Sequence, residues 1–173
     1  LTIMLALFVE PLDQYLPMRQ ANLTRAELAG RVKDAPPAAQ GILLDDWQQG
    51  LYTAATFYLE PEQPAYIGLR NHDKVFANDV MSYFLLDRDS VTRYHEMHPA
   101  IVDTAPVQQE MIADFERTRP SVIFLSGMFE GASEPNDANK STEVELLDDY
   151  IKQHYIQYGS SGPYTILRRR KGM

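Results

Sequence analysis

A chain of 173 residues, 45% of them apolar, has material for one domain with a sizeable core. Its net charge of -8 argues against a nucleic-acid backbone as the main partner, because phosphate binding needs a basic face. With no cysteine, disulfides, thiolate metal ligands and thiol nucleophiles are excluded together.

Leu1 to Val9 is almost entirely apolar before Glu10-Pro11 interrupts it. About nine residues cannot span a bilayer, which takes roughly 20. Two readings stay open: a buried N-terminal element, or the trailing end of a membrane helix, with 1–20 as a stub or linker and 21–173 as a single α/β domain. Leu23-Thr24-Arg25-Ala26-Glu27-Leu28 spells a capping box with a hydrophobic staple, and Pro36-Pro37 closes the helix it opens. Gly41 introduces a short strand, Ile42-Leu43-Leu44, followed by Asp45 and Asp46. Leu51, Ala54, Ala55, Tyr58 and Leu59 recur at helical spacing up to Glu60-Pro61.

Tyr66-Ile67-Gly68-Leu69 predicts a strand, and Arg70-Asn71-His72-Asp73-Lys74 a charged loop at its end. Val75 to Leu86 is expected to be helical, with Val80 and Phe84 on one face. Val91 to His95 alternates as a strand does, His98-Pro99 breaks it, and Ile101-Val102 is a further short extended piece. Val107, Met111 and Phe115 mark one face of a helix that Arg119-Pro120 ends. Val122 to Leu125 is then an uninterrupted apolar run with β-branched residues, the pattern of a strand buried on both faces. A polar loop from Met128 to Lys140 leads to a second capping box, Thr142 to Glu145, and a helix with Leu147, Ile151 and His154 or Tyr155 along one face. Gly159 to Pro163 is a turn by composition, Tyr164 to Leu167 a last strand, and Arg168 to Lys171 a basic tail, read either as a frayed, solvated end or as one able to meet anionic lipid.

Strands alternating with helices predict an α/β fold: three layers, with a mostly parallel sheet flanked by helices. The connection before the last strand is too short for a crossover helix, so that strand is free to run antiparallel.

Ligands of open α/β sheets favour the carboxyl ends of strands, which directs attention to Asp45 and Asp46, to Arg70 to Asp73, and to Ser126 to Glu130. Arg70, Asn71, His72 and Asp73 offer the donors and acceptors that bind a phosphate or sugar. His95 and His98 stand three apart where a helical zinc motif needs four. Phe124 and Met128 occupy the glycine positions of a nucleophile elbow around Ser126. Neither a Walker sequence nor a dinucleotide glycine fingerprint is present, and Glu134 to Asn139 lacks calcium-loop spacing. Asn22-Leu23-Thr24 and Asn139-Lys140-Ser141 match the glycosylation pattern. No metal ligand, cofactor or catalytic residue is assigned from these patterns.

Several stretches together carry a resemblance: Arg70-Asn71-His72-Asp73; Asp87-Arg88 with Thr92-Arg93-Tyr94-His95; His98-Pro99; Pro106-Val107-Gln108; Pro120 before the apolar strand; Glu134-Pro135-Asn136; Leu147-Asp148-Asp149-Tyr150-Ile151 with Tyr155; and Gly162 to Arg169. Over roughly Gln40 to Arg170 the chain resembles the soluble region that follows the last membrane helix in bacterial polytopic glycosyltransferases, the type of the dolichyl-phosphate-mannose protein mannosyltransferases and the aminoarabinose transferase. The resemblance implies a non-catalytic domain on the extracytoplasmic, periplasmic face of a bacterial membrane. Its partners would be the membrane-embedded portion of the same protein and a polyprenyl-phosphate sugar, with no nucleic acid. The family's catalytic acid lies in an extracytoplasmic loop that has no counterpart here, so no catalytic residue carries over. Two other readings remain: a free-standing small α/β enzyme using Asp45, Asp46 and His95, and a protein-interaction module.

Overall fold

The computed structural model describes residues 44–60 and 62–171. The apolar start, the helix expected from Leu23, the Asn22 sequon and all but Leu44 of the first expected strand lie outside them. The described elements are α1 (Asp46–Tyr58), β1 (Ile67–Leu69), α2 (Met81–Leu86), α3 (Ala105–Thr118), β2 (Val122–Ser126), α4 (Leu146–His154), β3 (Tyr155–Ser161) and β4 (Tyr164–Arg169). They build a mixed α/β fold around an open four-stranded sheet of order β1-β2-β4-β3.

All five residues of β2 are buried, as its unbroken apolar run predicts. Their side chains alternate between two cores. Val122 and Phe124 pack with Leu51, Ala55, Tyr83 and Leu86 from α1 and α2. Ile123 and Leu125 join Met111, Phe115, Leu147 and Ile151 from α3 and α4 on the other face. The three expected layers follow from this two-sided burial, and removing Phe115 or Phe124 from water contributes on the order of 2–3 kcal/mol each.

The expected mostly parallel pairing is corrected. Only β1 and β2 run parallel; β2 with β4 and β3 with β4 are antiparallel. The last strand is indeed antiparallel to its neighbours. The strand that sequence reading did not find is β3, because Tyr155 continues the i, i+4 row of Leu147 and Ile151 and so passes for the next turn of α4. The helix instead stops at His154. Tyr155 is held as the first strand residue by its hydroxyl, which donates to the Pro120 carbonyl (2.9 Å), and by edge-on contact with Phe115. The turn shrinks to Gly162-Pro163, where the Gly162 φ of 52° suits glycine and its missing Cβ leaves room for Trp47.

Further local differences have visible causes. Helix α2 begins only at Met81, and Val80 and Phe84 face outward while Tyr83, Leu85 and Leu86 are buried. Val91 to His95 is irregular, and only Ser90 bridges to Ala65. Ile101 and Val102 form a turn. The Thr142 box does not open α4, since the Thr142 hydroxyl donates to the Asp103 carbonyl (2.7 Å) and Glu143 takes a left-handed φ of 60°.

β1 is an edge strand, and a side chain closes its outer edge. The Tyr83 hydroxyl accepts from the Ile67 amide (2.9 Å) and donates to the Ile67 carbonyl (3.0 Å). Asn78 Nδ2 donates to the same carbonyl (2.9 Å). Both polar groups of Ile67 are thus paired without another strand.

Candidate ligand-binding site

Parallel pairing brings the carboxyl ends of β1 and β2 side by side. The register ends at Leu69 opposite Ser126, and the Arg70 amide extends it by donating to the Ser126 carbonyl (3.2 Å). Beyond this point the two chains separate and leave a crevice of about 40 Å³ lined by Arg70, Asn71, Lys74, Phe76, Phe129 and Glu130. Phe76 and Phe129 form its apolar wall, with ring centroids 5.9 Å apart.

The Arg70 side chain lies half-exposed across the opening. Its guanidinium stands 3.5 Å from Glu130 and 3.5 Å from the Pro163 carbonyl. Gly127 makes this position available: a Cβ there would come within 2.8 Å of the Arg70 guanidinium. Ser126 is not a free hydroxyl at this mouth, because its Oγ accepts from the Met128 amide (3.1 Å).

The four sequence-predicted residues divide into two pairs. Arg70 and Asn71 are exposed in the crevice, joined by Lys74, which has no ion-pair partner among the described residues. His72 and Asp73 turn away from it. His72 is completely buried, with its amide donating to Asp148 Oδ2 (2.8 Å), Nδ1 on Asp148 Oδ1 (2.6 Å) and Nε2 on the Tyr66 hydroxyl (2.7 Å). Every polar atom is satisfied when Tyr66 donates to Nε2 and Nδ1–H donates to the carboxylate. Burial, followed by the neighbouring charges of Tyr83 and Asp148, pushes the Tyr66 phenol well above its ordinary range and keeps that proton in place.

Carboxylate, imidazole and hydroxyl in series are the parts of a nucleophile relay. Here the hydroxyl is a phenol with no exposure, 4.6 Å from Phe115 between ring centroids, so no substrate reaches it. The relay pins the loop instead. Gln108 assists: its Nε2 donates to the carbonyls of His72 (3.0 Å) and Val144 (2.8 Å), and its Oε1 accepts from the Leu147 amide (3.0 Å). Asp73 holds the 141–142 segment, receiving the Ser141 hydroxyl on its carboxylate and the Thr142 amide on its carbonyl (2.8 Å).

Of the other candidates, Asp45 occupies the N-cap of α1, where the Gln48 side chain accepts from its amide (2.8 Å). His95 is exposed, its ring 6.4 Å from that of Tyr83. The partners that bury His72 were not foreseeable from spacing, since Asp148 lies 76 residues away. Among the described residues no three histidine or acidic side chains gather as metal ligands, and no helix is long and apolar enough to cross a membrane. Comparison of the chain with protein-family models, with curated proteins and with solved structures gives no match.

Proposed function

We propose that this chain is an accessory, non-catalytic domain on the extracytoplasmic side of a membrane glycosyltransferase-like protein. In this reading it positions a lipid-linked sugar donor or its acceptor by holding an anionic or hydroxyl-rich group at the Arg70 crevice. The observation that carries the reading is the convergence of two cations and an amide, Arg70, Lys74 and Asn71, at the carboxyl ends of the parallel strand pair. An arginine fork and a lysine suit a phosphate, and an asparagine suits a sugar hydroxyl.

Size limits what enters. A space of about 40 Å³ takes the charged head of a ligand and leaves the remainder outside, against the Phe76 and Phe129 wall. Glu130 occupies the guanidinium in the meantime, a half-exposed pair worth little in water that an incoming anion can displace. The contribution to reaction is orientation of a substrate whose chemistry occurs elsewhere, and orientation of this kind affects rate without contact with the reacting atoms.

The test is Arg70→Ala in the full-length, membrane-inserted protein, followed by initial rates of sugar transfer from a polyprenyl-phosphate donor. Loss of one charge-assisted contact worth about 1.5–3 kcal/mol raises KM for the group it holds by about tenfold or more. Transfer with unaltered KM and kcat ends the positioning role.

A further inference from the structure

The opposite end of the sheet carries a second concave feature of different character. The chain enters β2 through Arg119-Pro120-Ser121 and leaves β4 through Arg168 to Lys171. Because these strands are antiparallel, with Val122 facing Arg168, the beginning of one and the end of the other lie side by side. The Arg169 amide fastens them by donating to the Ser121 carbonyl (2.9 Å). Arg119 closes α3 in a left-handed conformation (φ 48°), which turns the chain toward the same end.

Arg119, Ser121, Arg168, Arg169, Arg170 and Lys171 line a cleft of about 440 Å³. Five of the chain's 16 basic residues therefore border one cleft on a molecule of net charge -8. Glu116 stands 3.8 Å from Arg169 and is already engaged by the Tyr150 hydroxyl (2.6 Å). Arg169 is fixed in the floor, its side chain 11% exposed and within hydrogen-bond reach of the Tyr150 and Tyr155 hydroxyls (3.3 Å each). Its Nε is buried without an acceptor. Arg168 rests over the Tyr158 ring at 5.6 Å.

We infer that this cleft binds a phosphate-class oxyanion carrying more than one negative charge. Cations crowded at one site repel each other, and a multivalent anion converts that repulsion into attraction. Guanidinium forks match phosphate oxygens two at a time. The volume lies within the range of complete small-ligand sites, so a diphosphate or an entire phosphorylated headgroup fits. The inference is independent of the Arg70 crevice, which sits at the other end of β2.

The experiment titrates the purified chain with inorganic pyrophosphate by calorimetry and, separately, sediments it with phosphatidylglycerol or phosphatidylcholine vesicles at low salt. The comparators are R119Q/R170Q, R168Q/K171Q and, for the other crevice, R70Q, each checked for native circular dichroism. Saturable pyrophosphate binding weakened about tenfold or more in either folded double variant, and retained in R70Q, supports a soluble phosphate ligand. Binding confined to phosphatidylglycerol vesicles, with the same dependence on the variants, supports a lipid headgroup as its source. Failure to bind either probe overturns the inference, as does binding that both double variants preserve or that phosphatidylcholine matches.

Discussion

His72 and Arg70 stand two residues apart in a loop rich in polar side chains, yet they have opposite fates. Arg70 follows β1 with its side chain over Gly127 and open to solvent, whereas His72 is completely buried between Tyr66 and Asp148. A buried imidazole is tolerated only when both nitrogens are paired, so the Tyr66 hydroxyl is a structural requirement. Replacing Tyr66 with Phe keeps the ring against Phe115 but leaves Nε2 without its donor. The expected loss is about 1–3 kcal/mol, seen as a lower urea midpoint at constant slope. Ligand affinity at the Arg70 crevice should change little, because Tyr66 does not line it. A midpoint equal to the parent's would mean that the relay does not secure the loop. Composition exposed the polar character of Arg70 to Asp73; it held no information on which two of the four would be drawn inward by partners distant in the chain.

At the scale of elements, β1 owes its integrity to Tyr83. A three-residue edge strand has one neighbour, β2, and the Tyr83 hydroxyl replaces the missing one at Ile67. Tyr83→Phe leaves the ring in the α2 core and removes both bonds; Asn78 still serves the carbonyl, so the Ile67 amide is the group left unpaired. Hydrogen exchange should show that amide losing protection, with a stability loss of about 1–3 kcal/mol. Unchanged protection at Ile67 would refute the replacement. The elements legible in sequence were those whose pattern admitted one reading: β2, apolar at each of Val122 to Leu125, and α3, marked by Met111 and Phe115 and stopped by Arg119-Pro120. β3 was hidden because Tyr155 satisfies helical and extended periodicity equally, and its register against β4 depends on residues that pair only once the hairpin forms. The Arg70 crevice was legible for a similar reason to β2, since strand ends in an open sheet are places where any following loop must diverge.

On the scale of the whole molecule, the two-sided core is built with phenols, and this fixes where the fold fails with pH. Burial raises Tyr83 and Tyr155 to about 12, and pushes Tyr66 and Tyr164 up as well. An unfolded tyrosine ionises near pH 10. A group whose folded pKa exceeds its unfolded value contributes stability that is fully present below the unfolded pKa and is lost as pH rises through the folded one. For Tyr83 and Tyr155 that window is about pH 10 to 12, and a shift of about two units is on the order of 2–3 kcal/mol each, a large part of the roughly 5–15 kcal/mol that holds a domain together. The acid side differs in sign and size. A hydrogen bond from Tyr150 holds the Glu116 carboxyl below its ordinary range, and one from Tyr94, with Arg93, does the same for Glu110. Their contribution is present above the unfolded pKa and fades as pH falls, but both groups are exposed and screened, so the acid loss is shallow. A titration of the phenolate absorbance band alongside circular dichroism should therefore show Tyr66, Tyr83, Tyr155 and Tyr164 ionising only together with cooperative loss of structure above pH 10. If these four phenols ionise while the helical signal persists, phenols do not set the alkaline limit of this fold.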